Sequence, residues 1–383
     1  MNTAMILRKH WSQQVKALFP TLHGHQQNTL AFLVQGIVMS GSTVLQRIAE
    51  TLGTEEVSLA KMPSIERRLA RFVANPRIDV EEIWEQFVRQ LLTFWKGKPM
   101  SFILDCTPFR SDATIVYLGL LVHSRVLPVA WAVMPAQEKW EEGQWSIVAR
   151  LLDLVQRCVG PEADCTLLAD RGLSGLALVK LCQDRGWHYL LRISHEHTFR
   201  RQTRQGWSTW SPVSSLVQQP GQHWYGPAML WQESSLQTQI SACWTPGHEE
   251  GWVLISDRPA SKARQNECAK RMRVEATFQD TKSRGWDLEA SLITEKERLH
   301  RLLLGLFVAI WWVSHLAASC IHHGQRTRFD RADRRDKSMF RLGRLWLLFI
   351  LKHARDSSWG GANLTHSLPF RKRHQQWIFS LRF

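Results

Sequence analysis

Residues 99–109, PMSFILDCTPF, form an apolar run that closes on Asp105 and ends in a turn. Branched and aromatic residues in so short a run read as a β-strand. Working outward, residues 114–125 (TIVYLGLLVHSR) and 126–135 (VLPVAWAVMP) read as two more strands. Their short separation predicts an antiparallel meander. Residues 145–159 (WSIVARLLDLVQRCV) carry helical spacing, and residues 165–170 (CTLLAD) return to a buried strand that closes on Asp170. A helix at 172–186 and a strand at 187–194 (WHYLLRIS) follow. Three strands followed by helix-strand-helix-strand make a mixed α/β core. Asp105 and Asp170 then lie at the carboxyl ends of their strands, where open α/β sheets place ligands. Pairing the first strand with the fourth brings the two aspartates together.

A third carboxylate joins them. Residues 262–282 (KARQNECAKRMRVEATFQDTK) read as a helix carrying Glu275, with Arg271 four positions before it and Lys282 seven after it. That spacing puts all three on one face. Three carboxylates on strand ends and a helix suit Mg²⁺, whose preferred ligands are oxygens. A metal pair can activate an attacking oxygen and stabilise a leaving one. Arg271 could grip a phosphate through its planar fork, and Lys282 could supply a point charge. An ordinary salt-bridged surface helix shows the same pattern.

The chain has 383 residues, enough for two or three domains, and 49 Lys and Arg against 34 Asp and Glu, a net charge of +15. The surplus favours an anionic partner over a neutral metabolite. DNA, RNA and anionic membrane all satisfy the charge alone, and so does a solvated basic surface. Seven scattered cysteines with no CxxC pair argue against a zinc ribbon and against a disulfide framework. A reducing cytosol suits them, and residues 1–14 lack the apolar core of a signal peptide. Residues 301–320 (RLLLGLFVAIWWVSHLAASC) approach the length of a membrane span but carry His315 and border charged residues, which favours a buried core helix.

Five regions follow. Residues 1–95 are helical, and Arg67, Arg68 and Arg71 fall close together within residues 64–79. This region reads either as a helix-turn-helix-like DNA-binding module or as a helical cap with a basic face. Residues 96–197 form the first part of the α/β core. Residues 198–249, rich in Trp, Gln, Gly and Arg, cease to read as part of that sheet and predict an inserted β-rich subdomain. Residues 250–300 return to the core with the Glu275 helix. Residues 301–383 read as a helical region for dimerisation and DNA contact, ending in a basic, aromatic tail, PFRKRHQQWIF, that suits backbone contacts or stacking and equally a solvated terminus.

The combination resembles the DDE transposases of the bacterial IS4 insertion-sequence family, nearest in pattern to hairpin-forming cut-and-paste members. The matching motifs are ILDCT at Asp105, LLADRGLSG at Asp170, and the signature Tyr-x2-Arg-x3-Glu-x6-Lys, present as Cys268, Arg271, Glu275 and Lys282. The phrase MRVEATFQDTKSRGWDLE extends the likeness, which spans about residues 20–350. The long signature is specific; either aspartate motif alone is weak. The resemblance implies a ribonuclease H-like mixed-sheet core with a β-rich insertion and flanking helical regions. It implies that Asp105, Asp170 and Glu275 bind two Mg²⁺ ions, with Mn²⁺ as a substitute, and that Arg271, Lys282 and Arg171 contact DNA. Trp252 matches a tryptophan that stabilises a flipped base in hairpin-forming relatives; an alternating strand could equally bury it as core. Cys268 departs from the signature tyrosine and lacks its reach and its ring. The implied partners are double-stranded DNA with terminal inverted repeats, target DNA, and a second copy of the chain in a synaptic homodimer. The implied setting is the bacterial cytoplasm, at the nucleoid and away from membranes. A stand-alone nuclease on the same core, or a domesticated DNA-binding protein without transposition activity, remains compatible with these residues.

Overall fold

A computed structural model of the chain describes residues 3–122, 125–136, 143–282 and 285–353. Five helices come first: α1 (Thr3–Leu18), α2 (Gly24–Ser40), α3 (Leu45–Thr54), α4 (Met62–Val73) and α5 (Val80–Leu92). Local chemistry sets their ends. Gly41, at φ +67°, takes the left-handed turn that closes α2, and the Asp79 side chain accepts the Glu82 amide at the start of α5. Between Gly41 and Val44 the chain bends by 87° from α2 into α3.

The core follows as β1 (Met100–Phe109), β2 (Ala113–Val122), β3 (Arg125–Pro135), α6 (Gly143–Val159), β4 (Cys165–Ala169), α7 (Leu176–Gln183) and β5 (His188–Arg192). The first three strands form the expected antiparallel meander, and β4 lies parallel to both β1 and β5. The pairing of β2 with β3 shifts register between Leu118 and Gly119, opposite Pro128. Such an irregularity leaves backbone carbonyls outside the ladder. Two indoles take them up: Trp84 Nε1 donates to Val129 O at 2.8 Å and Trp311 Nε1 to Pro128 O at 2.7 Å. Part of the abundant tryptophan is thus used to satisfy a distorted strand.

The insertion comprises β6 (Thr198–Thr203), β7 (Gly206–Trp207), β8 (Ser211–Pro212), β9 (His223–Leu230) and β10 (Leu236–Cys243), before β11 (Trp252–Ser256). It is β-rich, as its composition predicts, but it does not leave the sheet. Strand β11 pairs with β5 and β10, and β9 and β6 continue outward. Among the described residues the strands make one 11-stranded sheet in the order β3-β2-β1-β4-β5-β11-β10-β9-β6-β7, with β8 against β6. Strand β11 covers the edge of β5 that would otherwise offer unpaired backbone groups, and the strands of the insertion extend the ladder outward from β11. This corrects the expectation of a subdomain apart from the core sheet.

Five helices complete the described chain: α8 (Lys262–Ala269), α9 (Arg273–Thr281), α10 (Lys296–His322), α11 (Arg326–Phe329) and α12 (Met339–His353). Helix α10 is the expected core helix. Its length and apolarity would suffice to cross a membrane, and 89% of its apolar window is buried inside this fold. Trp11 stacks on Trp312 at 4.1 Å, and Trp131 meets Phe307 edge-on at 4.7 Å, so α10 ties the N-terminal helices and the sheet into one hydrophobic core. The basic tail at 369–379 lies outside the described residues.

Candidate active site

Strand register builds the site. Leu104 pairs with Ala169 across the parallel β1 and β4, so Asp105 and Asp170, each one residue further, share a face. Asp170 lies just past the end of β4, as expected, whereas Asp105 lies inside β1, which runs on to Phe109 against β2, and not at its carboxyl end. Ala169 pairs with Leu191, which sets Arg192 beside Asp170; Leu254 pairs with Arg192, which puts Trp252 on that face too. Four neighbouring strands therefore present Asp105, Asp170, Arg192 and Trp252 in a row. Contacts agree with the register. Arg192 Nη1 lies 3.7 Å from Asp170 Oδ1, and the Arg192 guanidinium sits over the Trp252 ring at 5.2 Å.

The helix carrying Glu275 does not run unbroken. A 3₁₀ turn at Lys270–Met272 separates α8 from α9. Arg271 lies in that turn and is buried, whereas Glu275 is exposed, so the two do not share a face in the expected way. The Arg271 fork bridges the aspartates: Nη1 donates to Asp105 Oδ2 at 3.0 Å and Nη2 to Asp170 Oδ2 at 3.2 Å. Lys282, at the end of α9, donates to the Pro108 carbonyl at the end of β1. Burial lowers its pKa.

Burial raises the pKa of Asp105; Arg271 and the Cys106 amide oppose that shift, and the charges of Asp170 and Glu275 add to it. Glu275 is thus close enough to be felt electrostatically at Asp105. Even so, among the described residues no group of three or more His, Cys, Asp or Glu side chains is gathered to hold a metal ion. The donor chemistry nonetheless fits a divalent cation. Asp170 Oδ1 is buried and accepts no hydrogen bond, and the two aspartates already share a cationic partner in Arg271. A hard cation would satisfy the same oxygens.

Cys268 is 2% exposed beneath this cluster, and burial pushes its thiol up to about 12. A thiol so buried is not presented to an approaching strand. Arg171 pairs instead with Glu250, its Nη1 3.0 Å from Oε1. The same Glu250 oxygen accepts Arg192 Nη2 at 2.5 Å. Arg192 and Glu250 were not singled out in the sequence. The signal for Arg192 was its position in WHYLLRIS, closing an apolar run as Asp170 does. Nothing comparable marks Glu250, which lies in a loop.

Trp252 is half-buried and lines a cleft of about 540 Å³ with Tyr225, Trp244, His248 and Glu250. Arg67, Arg68 and Arg71 line a separate cleft of about 490 Å³ on α4, with His25, Gln26 and Asn75. All three arginines are exposed, and Arg68 donates to Thr29 Oγ1 at 2.9 Å and lies over Phe32.

Residues 121–312 match the family described as the transposase DDE domain, a segment that includes Asp170 and Glu275 and begins after Asp105. No curated protein matches the chain. Among solved structures it is similar to a piggyBac transposase synaptic complex with hairpin DNA, determined by cryo-EM. The identity is 11% and the TM-score 0.43, over 97% of this chain and 81% of that one.

Proposed function

The chain belongs to the transposase DDE domain family, and from that premise we propose a DNA transposase that cuts at terminal inverted repeats and joins the freed 3′ ends to target DNA. The observation that carries this reading is that Asp105, inside β1, and Asp170, just past β4, stand side by side on neighbouring parallel strands and share the Arg271 guanidinium. Asp105, Asp170 and Glu275 would hold the divalent cations, two Mg²⁺ ions or Mn²⁺ in their place. Bound there, the cations would activate the attacking oxygen and stabilise the leaving oxygen.

The protein's own residues supply the rest. Asp105 and Asp170 are held in position by their strands, so little ordering is left to accompany catalysis. Arg271 releases the aspartates and becomes available to a phosphate. Arg171 and Lys282 offer further cations to the DNA backbone. Trp252 offers an indole face on which a displaced base can stack, which suits a hairpin intermediate. The exposed Arg67 and Arg71, with Arg68 between them, suit recognition of the terminal repeat. A homodimeric synapse on DNA, in the cytoplasm, completes the reading. Neutralising phosphates with so basic a chain makes binding fall with salt.

The test uses purified full-length protein, Mg²⁺, and duplexes carrying the element's own ends with flanking DNA, alongside Glu275→Gln. Denaturing gels resolve nicks, hairpins and joined products. Cleavage and joining that depend on Glu275 are expected. Indiscriminate cutting without joining would favour a stand-alone nuclease, and specific binding without cleavage in Mg²⁺ or Mn²⁺ a DNA-binding protein without transposition activity.

A further inference from the structure

Glu250 is held as an anion ligand would be. Its Oε1 accepts Arg171 Nη1 at 3.0 Å and Arg192 Nη2 at 2.5 Å, and its Oε2 lies 3.3 Å from Arg171 Nη1. Two guanidinium groups converging on one carboxylate form a charge-assisted pocket. A phosphodiester carries the same single charge and likewise offers two free oxygens. It could replace the carboxylate without changing the charge of the pocket.

The three side chains differ in freedom. Arg192 has 15% of its side chain exposed and lies against Trp252, so it is a fixed anchor. Arg171 is 55% exposed and can turn with its ligand. Glu250 sits where a loop meets a strand. Thr245 to Glu249 are exposed, whereas a Cβ at Gly251 would stand 2.6 Å from Val217 Cγ2. The chain is therefore packed at Gly251, whose carbonyl also meets His195 Nε2 at 2.9 Å, while the exposed loop before it is tied at His248, whose carbonyl accepts the Trp244 indole at 2.9 Å. Glu250 can swing out while Trp252 stays in place.

Location supplies the function. Arg192 Nη1 is 3.7 Å from Asp170 Oδ1, the buried oxygen that accepts no hydrogen bond. A phosphate in this pocket would lie beside a catalytic aspartate, on the side of Trp252. A guanidinium as buried as that of Arg192 requires an anion at all times, because an unpaired buried charge is costly. Glu250 meets that requirement before DNA arrives.

We propose that Arg171 and Arg192 form a binding site for a backbone phosphate of the DNA strand next to Asp170, and that Glu250 fills this site as an internal stand-in until DNA displaces it. This rests on the transposase reading and adds a regulatory residue to it. Glu250 sets a threshold: a duplex must outcompete the carboxylate before its strand can seat beside the aspartates. Short or weakly held DNA is thereby rejected.

The test is fluorescence anisotropy of a labelled random-sequence duplex with full-length protein in EDTA, which leaves metal binding out. Glu250→Gln removes the competing charge and keeps the shape. The neighbouring Glu249→Gln makes the same change in net charge without touching the arginines. Glu250→Gln is expected to bind about tenfold more tightly than wild type, and Glu249→Gln less than about twofold. Adding Arg192→Gln to Glu250→Gln should erase the gain. Equal effects of the two glutamine variants would overturn the stand-in role and leave the transposase reading intact. Wild-type protein that binds no duplex at low salt would sink both. Should Glu250→Gln fold poorly, Glu250→Ala replaces it with the same two outcomes.

Discussion

Asp105 and Asp170 share a single guanidinium: Arg271 donates one nitrogen to each, at 3.0 and 3.2 Å. The strands fix where the carboxylates stand, and Arg271 neutralises their mutual repulsion. The DNA-free site is thus internally paired. Asp105 and Asp170 close on Arg271, and Arg192 and Arg171 close on Glu250. Activation has to open these pairs.

Arg271→Gln should therefore destabilise the metal-free protein more than the metal-loaded one. Removing one partner of a buried pair costs about 3–5 kcal/mol when burial is complete. Asp170 retains 32% side-chain exposure, so a smaller loss of about 2 kcal/mol is expected in EDTA. Divalent cations should restore most of it by taking over the neutralising role. Urea unfolding in EDTA and in Mg²⁺ measures both values. An identical loss in the two buffers would mean that Arg271 and the cation do not compete for the aspartates.

The pH dependence of stability follows from Asp105. Burial, above all, raises its pKa in the folded chain. The unfolded chain then loses this proton first as pH rises, so the folded state binds more protons across the interval. The contribution to stability is complete below the ordinary carboxylate value of 3.8 and is lost as pH climbs through the raised value. Asp105→Asn removes this term. Thermal scans in EDTA should show the variant gaining on wild type as pH rises through that interval. A difference independent of pH would contradict the shift.

The core strands were legible in their apolar runs, and LLAD stops one at Asp170, just past β4; ILD does not, because β1 runs on through Asp105 to Phe109. Helical spacing likewise marked the segment with Glu275. What remained hidden depends on geometry that periodicity does not encode. A 3₁₀ turn of three residues was enough to bury Arg271 and to leave Glu275 exposed. The insertion looked separate because its strands are short and polar, yet backbone pairing with β11 needs no apolar signal. Cys268 matched a tyrosine by spacing, and its burial explains why a small thiol fits there. Glu250 carries no local pattern, since its partners come from two distant segments.

Trp252 should contribute to hairpin formation more than to DNA binding. Stacking a base on an aromatic ring is worth about 1–3 kcal/mol. Trp252→Ala should then lower hairpin yield by roughly tenfold or more, while Trp252→Phe keeps an aromatic face and recovers part of it. A 2-aminopurine placed next to the cleavage site reports whether the base leaves the stack. Unchanged fluorescence and unchanged hairpin yield in Trp252→Ala would assign the indole to packing against Arg192 alone.

Helices α10 and α2 meet where Gly305 faces Leu33. A Cβ at Gly305 would stand 2.6 Å from Leu33 Cδ2 and 2.9 Å from Leu33 Cγ. Leu33 is fully buried, so it has no vacant space to move into. Alanine favours a helix over glycine by about 1 kcal/mol, whereas overpacking a core costs about 1–3 kcal/mol. With both atoms of Leu33 in the way the clash dominates, and Gly305→Ala should lose about 1 kcal/mol in urea unfolding. Leu33→Ala alone leaves a cavity and should cost about 2–5 kcal/mol. In the double variant the new methyl enters that cavity, so the combined loss should be smaller than the sum of the two. Strict additivity would show that α2 and α10 separate to accept the methyl group, and that Gly305 does not set their spacing.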